Sequence, residues 1–154
     1  MRVQVDMRTV LFSIIFTTAC WASSTFGTWK MNAARSTFTG SAQLKSLSVR
    51  IEPHAKGEVL TLDRIESDGR VMSSSTLLYF DGAPRDFEDF ECSGTQSSRR
   101  LDGETVEILR VCASGEWIWL MRQSAGNSRE LIIEITEKRR GGSALEWRVL
   151  LEKQ

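Results

Sequence analysis

The sequence predicts an all-β fold, an antiparallel up-and-down β-barrel of about eight to ten strands, set behind an N-terminal signal helix. Three observations lead there. From about residue 42 onward, apolar and polar side chains alternate with a period of two, the repeat of a strand with one face in a core; helical spacing does not dominate anywhere in that stretch. Turn-forming pairs such as Asp68-Gly69, Asp81-Gly82, Asp102-Gly103 and Ser114-Gly115 interrupt the alternation at hairpin spacing. A chain of 154 residues fits one domain. Because many short strands leave open edges unless the sheet closes, a barrel is favoured over an open sheet.

The elements follow in order. Arg8 precedes Thr9 to Ala19, an uncharged and mostly apolar run of the length of a secretory core and too short to span a bilayer. Residues 1–22 therefore read as a signal peptide cut after Ala22, and residues 23–154 as the mature domain, which begins on the polar Ser23-Ser24-Thr25. A start at Met7 would give a simpler leader than one that includes Asp6. A rival reading takes Thr17-Thr18-Ala19-Cys20 as a lipoprotein box with Cys20 lipidated, but the usual Leu three residues before the cysteine is missing. Either way the chain is expected in the periplasm or outside the cell, and its mature part carries no transmembrane span. Met31 to Phe38 allow one short helix, with Asn32 as N-cap.

Strand candidates then run Leu44–Ile51, Val59–Ile65 and Val71–Phe80, followed by the short mixed Arg85–Cys92 and Ser98–Leu101. Thr105–Val111, Glu116–Arg122, Leu131–Glu137 and Ala144–Lys153 complete the series. Glu116–Arg122 is apolar on both faces and reads as a strand covered on both sides, the best core candidate. The last strand alternates plainly, with Leu145, Trp147, Val149 and Leu151 on one face and Glu146, Arg148 and Glu152 on the other.

Charge and chemistry narrow the function by exclusion. Lys plus Arg and Asp plus Glu stand at 20 each, so no basic field exists to hold nucleic acid. Without the leader, two cysteines remain, Cys92 and Cys112. In an oxidising compartment they can pair, and otherwise they are two buried thiols; no C-x-x-C spacing suggests a redox site. The only histidine, His54, sits in a Pro-Gly turn, which suits a solvated residue better than a catalytic base. No nucleophile elbow, zinc spacing or phosphate loop is present. Asp86-Phe87-Glu88-Asp89-Phe90-Glu91 gathers carboxylates but lacks the Asn and Gly positions of a calcium loop. Arg99-Arg100 and Lys138-Arg139-Arg140 read as soluble hairpin turns. No enzyme, no metal and no cofactor is expected.

The opening Gly27-Thr28-Trp29-Lys30-Met31-Asn32, then Ala34-Arg35-Ser36-Thr37-Phe38, resembles the start of small secreted lipocalin-like proteins of unknown function from soil bacteria. The closing Leu150-Leu151-Glu152-Lys153-Gln154 is similar to their ending. More distantly, Gly-x-Trp on the first strand and Glu-Lys on the last are similar to lipocalins and fatty-acid-binding proteins, the calycin group. The resemblance implies a structural trio: Gly27 permits close backbone approach, Trp29 plugs one end of the barrel, and a basic residue of the last strand, Arg148, stacks on the ring. It also exposes a departure. The Arg-x-Tyr pair that clamps a carboxylate in fatty-acid-binding proteins aligns with Val149 and Leu151 here, so charges elsewhere, such as Arg110 or Arg122, would have to serve. The expected function is that of an exported, non-enzymatic barrel binding a small hydrophobic ligand in a cavity lined by Trp117, Trp119, Met121 and Trp147. The alternative is an envelope structural or protein-interaction domain with a solid core.

Overall fold

The computed structural model describes residues 25–39, 43–89, 92–124 and 128–154, with backbone alone for residues 119 and 121–124. The predicted leader, Cys20 and Met7 included, lies outside the described residues. Eleven strands form one antiparallel sheet among them. They are β1 (Gly27–Met31), β2 (Thr37–Phe38), β3 (Leu44–His54), β4 (Gly57–Glu66), β5 (Val71–Leu78) and β6 (Arg85–Glu88). The second half comprises β7 (Ser93–Arg100), β8 (Thr105–Cys112), β9 (Trp117–Ser124), β10 (Glu130–Lys138) and β11 (Leu145–Lys153). No helix among the described residues is long and apolar enough to cross a membrane.

Chain neighbours pair as hairpins because turn residues sit where the alternation stops. His54 and Gly57 bracket the β3–β4 turn, and Glu66 and Arg70 close the next one through Arg70 O. The sheet order is β5-β4-β3-β1-β11-β10-β9-β8-β7-β6, with β2 added beside β11. The first and last long strands therefore lie side by side, and Trp29 is in register with both Val49 and Lys153. The short helix anticipated over Met31–Phe38 is a single 3-10 turn, Ala33–Arg35. Asn32 caps it, its side chain accepting from Arg35 N–H at 3.2 Å, and the chain then extends into β2.

Strand parity decides what is inside. Leu47, Val49 and Ile51 on β3, Val106 and Ile108 on β8, Leu131 and Ile133 on β10, and Trp147, Val149 and Leu151 on β11 are all buried in one cluster around Trp29. Each such side chain contributes roughly 1.5–3 kcal/mol on leaving water. Thr25, part of the polar start read for the mature domain, is buried, and its carbonyl accepts the Trp29 indole N–H at 2.8 Å. Strand β9 was expected to be covered on both sides. Its Leu120 does face the core, but Trp117 is only half-buried and stands in register with Val111, which is 42% exposed. Among the described residues, the single curled sheet has no second layer over that face.

The curl brings the two ends of the sheet, β5 and β6, together without pairing them. β6 has four residues and follows Asp81-Gly82-Ala83-Pro84, where Phe80 takes φ 61 and Gly82 φ 71. A proline-led strand this short cannot supply a full ladder. Contacts that cross the gap include an isolated bridge between Asp81 and Arg99, a side-chain bond from Gln96 to Thr76 and an ion pair between Arg100 and Glu58.

Candidate functional site

The seam between β5 and β6 opens into a cavity of about 680 Å³, within the 300–1,000 Å³ range usual for small-molecule sites. One wall is β5, where Ser73, Ser74, Ser75, Thr76 and Leu77 line the space. A strand with one edge unpaired can present both of its faces to such a gap. The opposite wall comes from Tyr79, Ala83 and Arg85 to Asp89, and the floor from Gln96, Ser98 and Arg110. A side chamber of about 40 Å³ continues behind Ser74, Asp89 and Arg110 toward Leu62 and Met72. It has room for about one water molecule.

The floor is a connected polar network. Arg110 donates Nε to Gln96 Oε1 at 2.8 Å and Nη1 to Asp89 Oδ2 at 2.8 Å. Gln96 then donates Nε2 to Thr76 Oγ1 at 2.9 Å, tying β7 to β5 across the seam. The guanidinium also stands 5.0 Å from the centre of the Phe87 ring. Both members of the Arg110–Asp89 pair have side chains only 13% exposed, so the pair is much less screened than a surface bridge. At the rim, Arg85 grips Asp81 with two bonds of 2.8 and 2.6 Å and lies 3.9 Å from the centroid of Tyr79. The Arg85 guanidinium and the Ala83 N–H hold the Asp81 carboxyl well below the usual carboxylate range. Ser74, half-buried and paired with Leu62 in the ladder, lines both the cavity and the side chamber.

Of the residues expected to line a cavity, Trp147 is inside the barrel, edge-on to Phe38 at 6.3 Å, with its indole N–H buried and without a partner among the described residues. Neither Trp147 nor Trp117 lines the seam cavity. Trp119 and Met121 are in register with Leu109 and Glu107, and their side chains lie outside the described residues, as does that of Arg122. Arg110, one of the two alternative charges, lines the cavity. Cys92 and Cys112 form a disulfide that fastens the β6–β7 turn to the end of β8. Asp89 belongs to that turn, accepting Cys92 N–H at 3.1 Å.

The structural trio is corrected in one member. Lys153, not Arg148, lies over Trp29, with Nζ 5.3 Å from the ring centroid, while Arg148 faces outward toward Glu134 at 3.5 Å. Residue 148 has the outward parity of its strand and residue 153 the inward one. Val149 and Leu151, at the positions aligned with the carboxylate clamp, are fully buried in the core.

His54 is exposed in its turn, where its Nδ1 accepts the Lys56 N–H at 3.1 Å. No group of three metal-ligating side chains occurs among the described residues, and Phe90 and Glu91 of the acidic run fall outside them. Arg100 is paired with the buried Glu58 at 2.7 Å, and Arg99 and Arg139 are paired with Glu107 and Glu137.

Comparison with family models finds no match, and comparison with curated proteins finds none either. Solved structures do match. A Schistosoma mansoni fatty acid binding protein in complex with arachidonic acid superposes with a TM-score of 0.54 at 10% identity, covering 86% of this chain and 97% of that one. As-p18, an extracellular fatty acid binding protein, gives 0.54 at 12% with the same coverage. Zebrafish ileal bile acid-binding protein complexed with cholic acid gives 0.51 at 13%, covering 86% and 100%. The fold is thus the antiparallel β-barrel of these structures, with the seam as its open side.

Proposed function

We propose that this chain is an exported, non-enzymatic binding barrel that holds a small, largely apolar molecule with a polar end in the seam cavity. The observation that carries the reading is the ligand-sized space between β5 and β6, floored by the fixed network of Arg110, Gln96 and Asp89. Support for a ligand comes from the similar structures, whose own names describe them as binding fatty and bile acids. Support for export comes from the leader-like first 22 residues and from a disulfide that suits an oxidising compartment.

The test is native mass spectrometry of the protein purified from the periplasm or medium of its own cells. A bound small molecule is the expected result, weakened in a Ser74→Phe variant that intrudes on the cavity. A clean apo mass, together with no displacement of an apolar fluorescent probe, would defeat the reading.

A second reading, an interaction domain of the envelope, is favoured by the outer face of β8, where Leu109 and Val111 are 39% and 42% exposed beside Trp117. A dimer in sedimentation velocity that Val111→Asp dissociates, with the cavity still empty, would favour that alternative.

A further inference from the structure

The seam cavity carries more negative than positive charge, and its positive charges are already engaged. Among the described lining residues, two guanidiniums, Arg85 and Arg110, face three carboxylates, Asp86, Glu88 and Asp89. Arg110 is bound to Asp89 and to the amide of Gln96, and both terminal nitrogens of Arg85 are bound to Asp81. Asp86 and Glu88 are exposed at the mouth, with no ion-pair partner among the described residues. A negatively charged head group entering here passes two like charges. The carboxylates that already neutralise the two guanidiniums are held in place by their own turns, since Asp81 also accepts the Ala83 N–H and Asp89 the Cys92 N–H. Each like charge at contact distance lowers affinity roughly fivefold in water at low salt.

What the walls offer instead is hydroxyls: that of Ser74, and beside it those of Ser73 and Ser98, which already donate to Asp63 and accept the Phe80 N–H, respectively. A hydroxyl both donates and accepts, so it satisfies an uncharged polar group without a charge partner.

We propose that the cavity takes amphiphiles with an uncharged or cationic head group and turns away carboxylates, a selectivity that rests on the ligand-binding reading above. Asp86 and Glu88 set the sign of the mouth, and the Arg110–Asp89 and Arg85–Asp81 pairs keep the guanidiniums from a ligand anion. The missing clamp at Val149 and Leu151 agrees with this, because the barrel interior supplies apolar side chains at those positions rather than charge.

Three probes with one twelve-carbon chain separate the possibilities: monododecanoylglycerol, dodecyltrimethylammonium and dodecanoate. Each is titrated below its micellar concentration into the full processed protein, displacing an uncharged fluorescent probe at neutral pH and low salt. The neutral and cationic probes are expected to bind at least about tenfold tighter than dodecanoate. Asp86→Asn with Glu88→Gln, checked by circular dichroism for folding, should narrow the cation-to-anion ratio several-fold and leave the neutral probe within about twofold. Dodecanoate binding as tightly as the glycerol ester, or a ratio unmoved by the double variant, would overturn the proposal while the ligand-binding reading stands. Binding of none of the three would overturn both.

Discussion

The Lys153 ammonium lies 5.3 Å from the centre of the Trp29 ring, and the two residues are direct cross-strand partners on β11 and β1. Gly27 makes room for this stacking. A Cβ there would sit 3.1 Å from Lys153 Cε, and the residue's φ of +130 suits glycine alone. Lys153→Met should cost about 0.5–1 kcal/mol in urea unfolding, the range of an exposed cation–π contact. Gly27→Ala should cost about 1–2 kcal/mol through strain, whereas Arg148→Ala should stay within about 0.5 kcal/mol. A larger loss from Arg148→Ala than from Lys153→Met would refute the assignment.

That pairing was within reach of the sequence, because Lys153 shares odd parity with Leu145, Trp147, Val149 and Leu151. The resemblance drew attention to a basic residue on the last strand, and parity was the criterion that picks which one. The long strands were legible for the same reason: a dry core writes alternation into Val49–Ile51, Ile133–Ile135 and Val149–Leu151. The seam was not legible in that way. β7 reads Ser-Gly-Thr-Gln-Ser-Ser-Arg-Arg, and of it only Ser98–Arg100 had been read as strand, because its inward residues, Gln96 and Ser98, face a polar cavity instead of a core. β5, which the sequence predicts as a strand over Val71–Phe80, likewise carries polar Ser73 to Thr76 in its middle. Two adjoining stretches that keep strand length and turn spacing yet lose apolar residues at the inward parity are the sequence signature of a wet cavity, and that signal could have located this one.

The disulfide joins residues 20 apart, and it anchors the turn that presents Asp89 to Arg110. Closing a loop of that length is worth about 3 kcal/mol on the chain-entropy estimate. Replacing both cysteines by serine should lower the urea midpoint accordingly and weaken ligand binding, because the β6 wall loses its tether. An intact mass showing two free thiols in protein made in an oxidising compartment would contradict the bond.

Asp81 and Arg85 set the acid behaviour of the rim. The Asp81 carboxyl titrates below its ordinary value of 3.8, first through its hydrogen bonds with the Arg85 guanidinium and then through the Ala83 N–H. A depressed folded-state value means that the pair's stabilisation is present above about pH 4 and lost only as pH falls further, through the folded value. Arg85→Ala, which removes the guanidinium and its charge, should move the Asp81 Cγ midpoint, followed by NMR, up toward 3.8. No movement would show that the guanidinium is not the cause.

Arg110 is the residue on which floor and wall of the cavity both depend. Its Nε holds Gln96, which holds Thr76 across the seam, and its Nη1 holds Asp89 in the disulfide-anchored turn. Removing one partner of a fully buried pair costs about 3–5 kcal/mol; with both side chains 13% exposed at a cavity wall, about 2–3 kcal/mol is expected for Arg110→Leu. Adding Asp89→Asn should restore part of that loss, since the amide no longer carries an unpaired charge and can still accept the Cys92 N–H. Equilibrium urea unfolding of the two single variants and the double measures the coupling directly. Strict additivity of the two single losses would mean that the network does not bind the walls of the seam together.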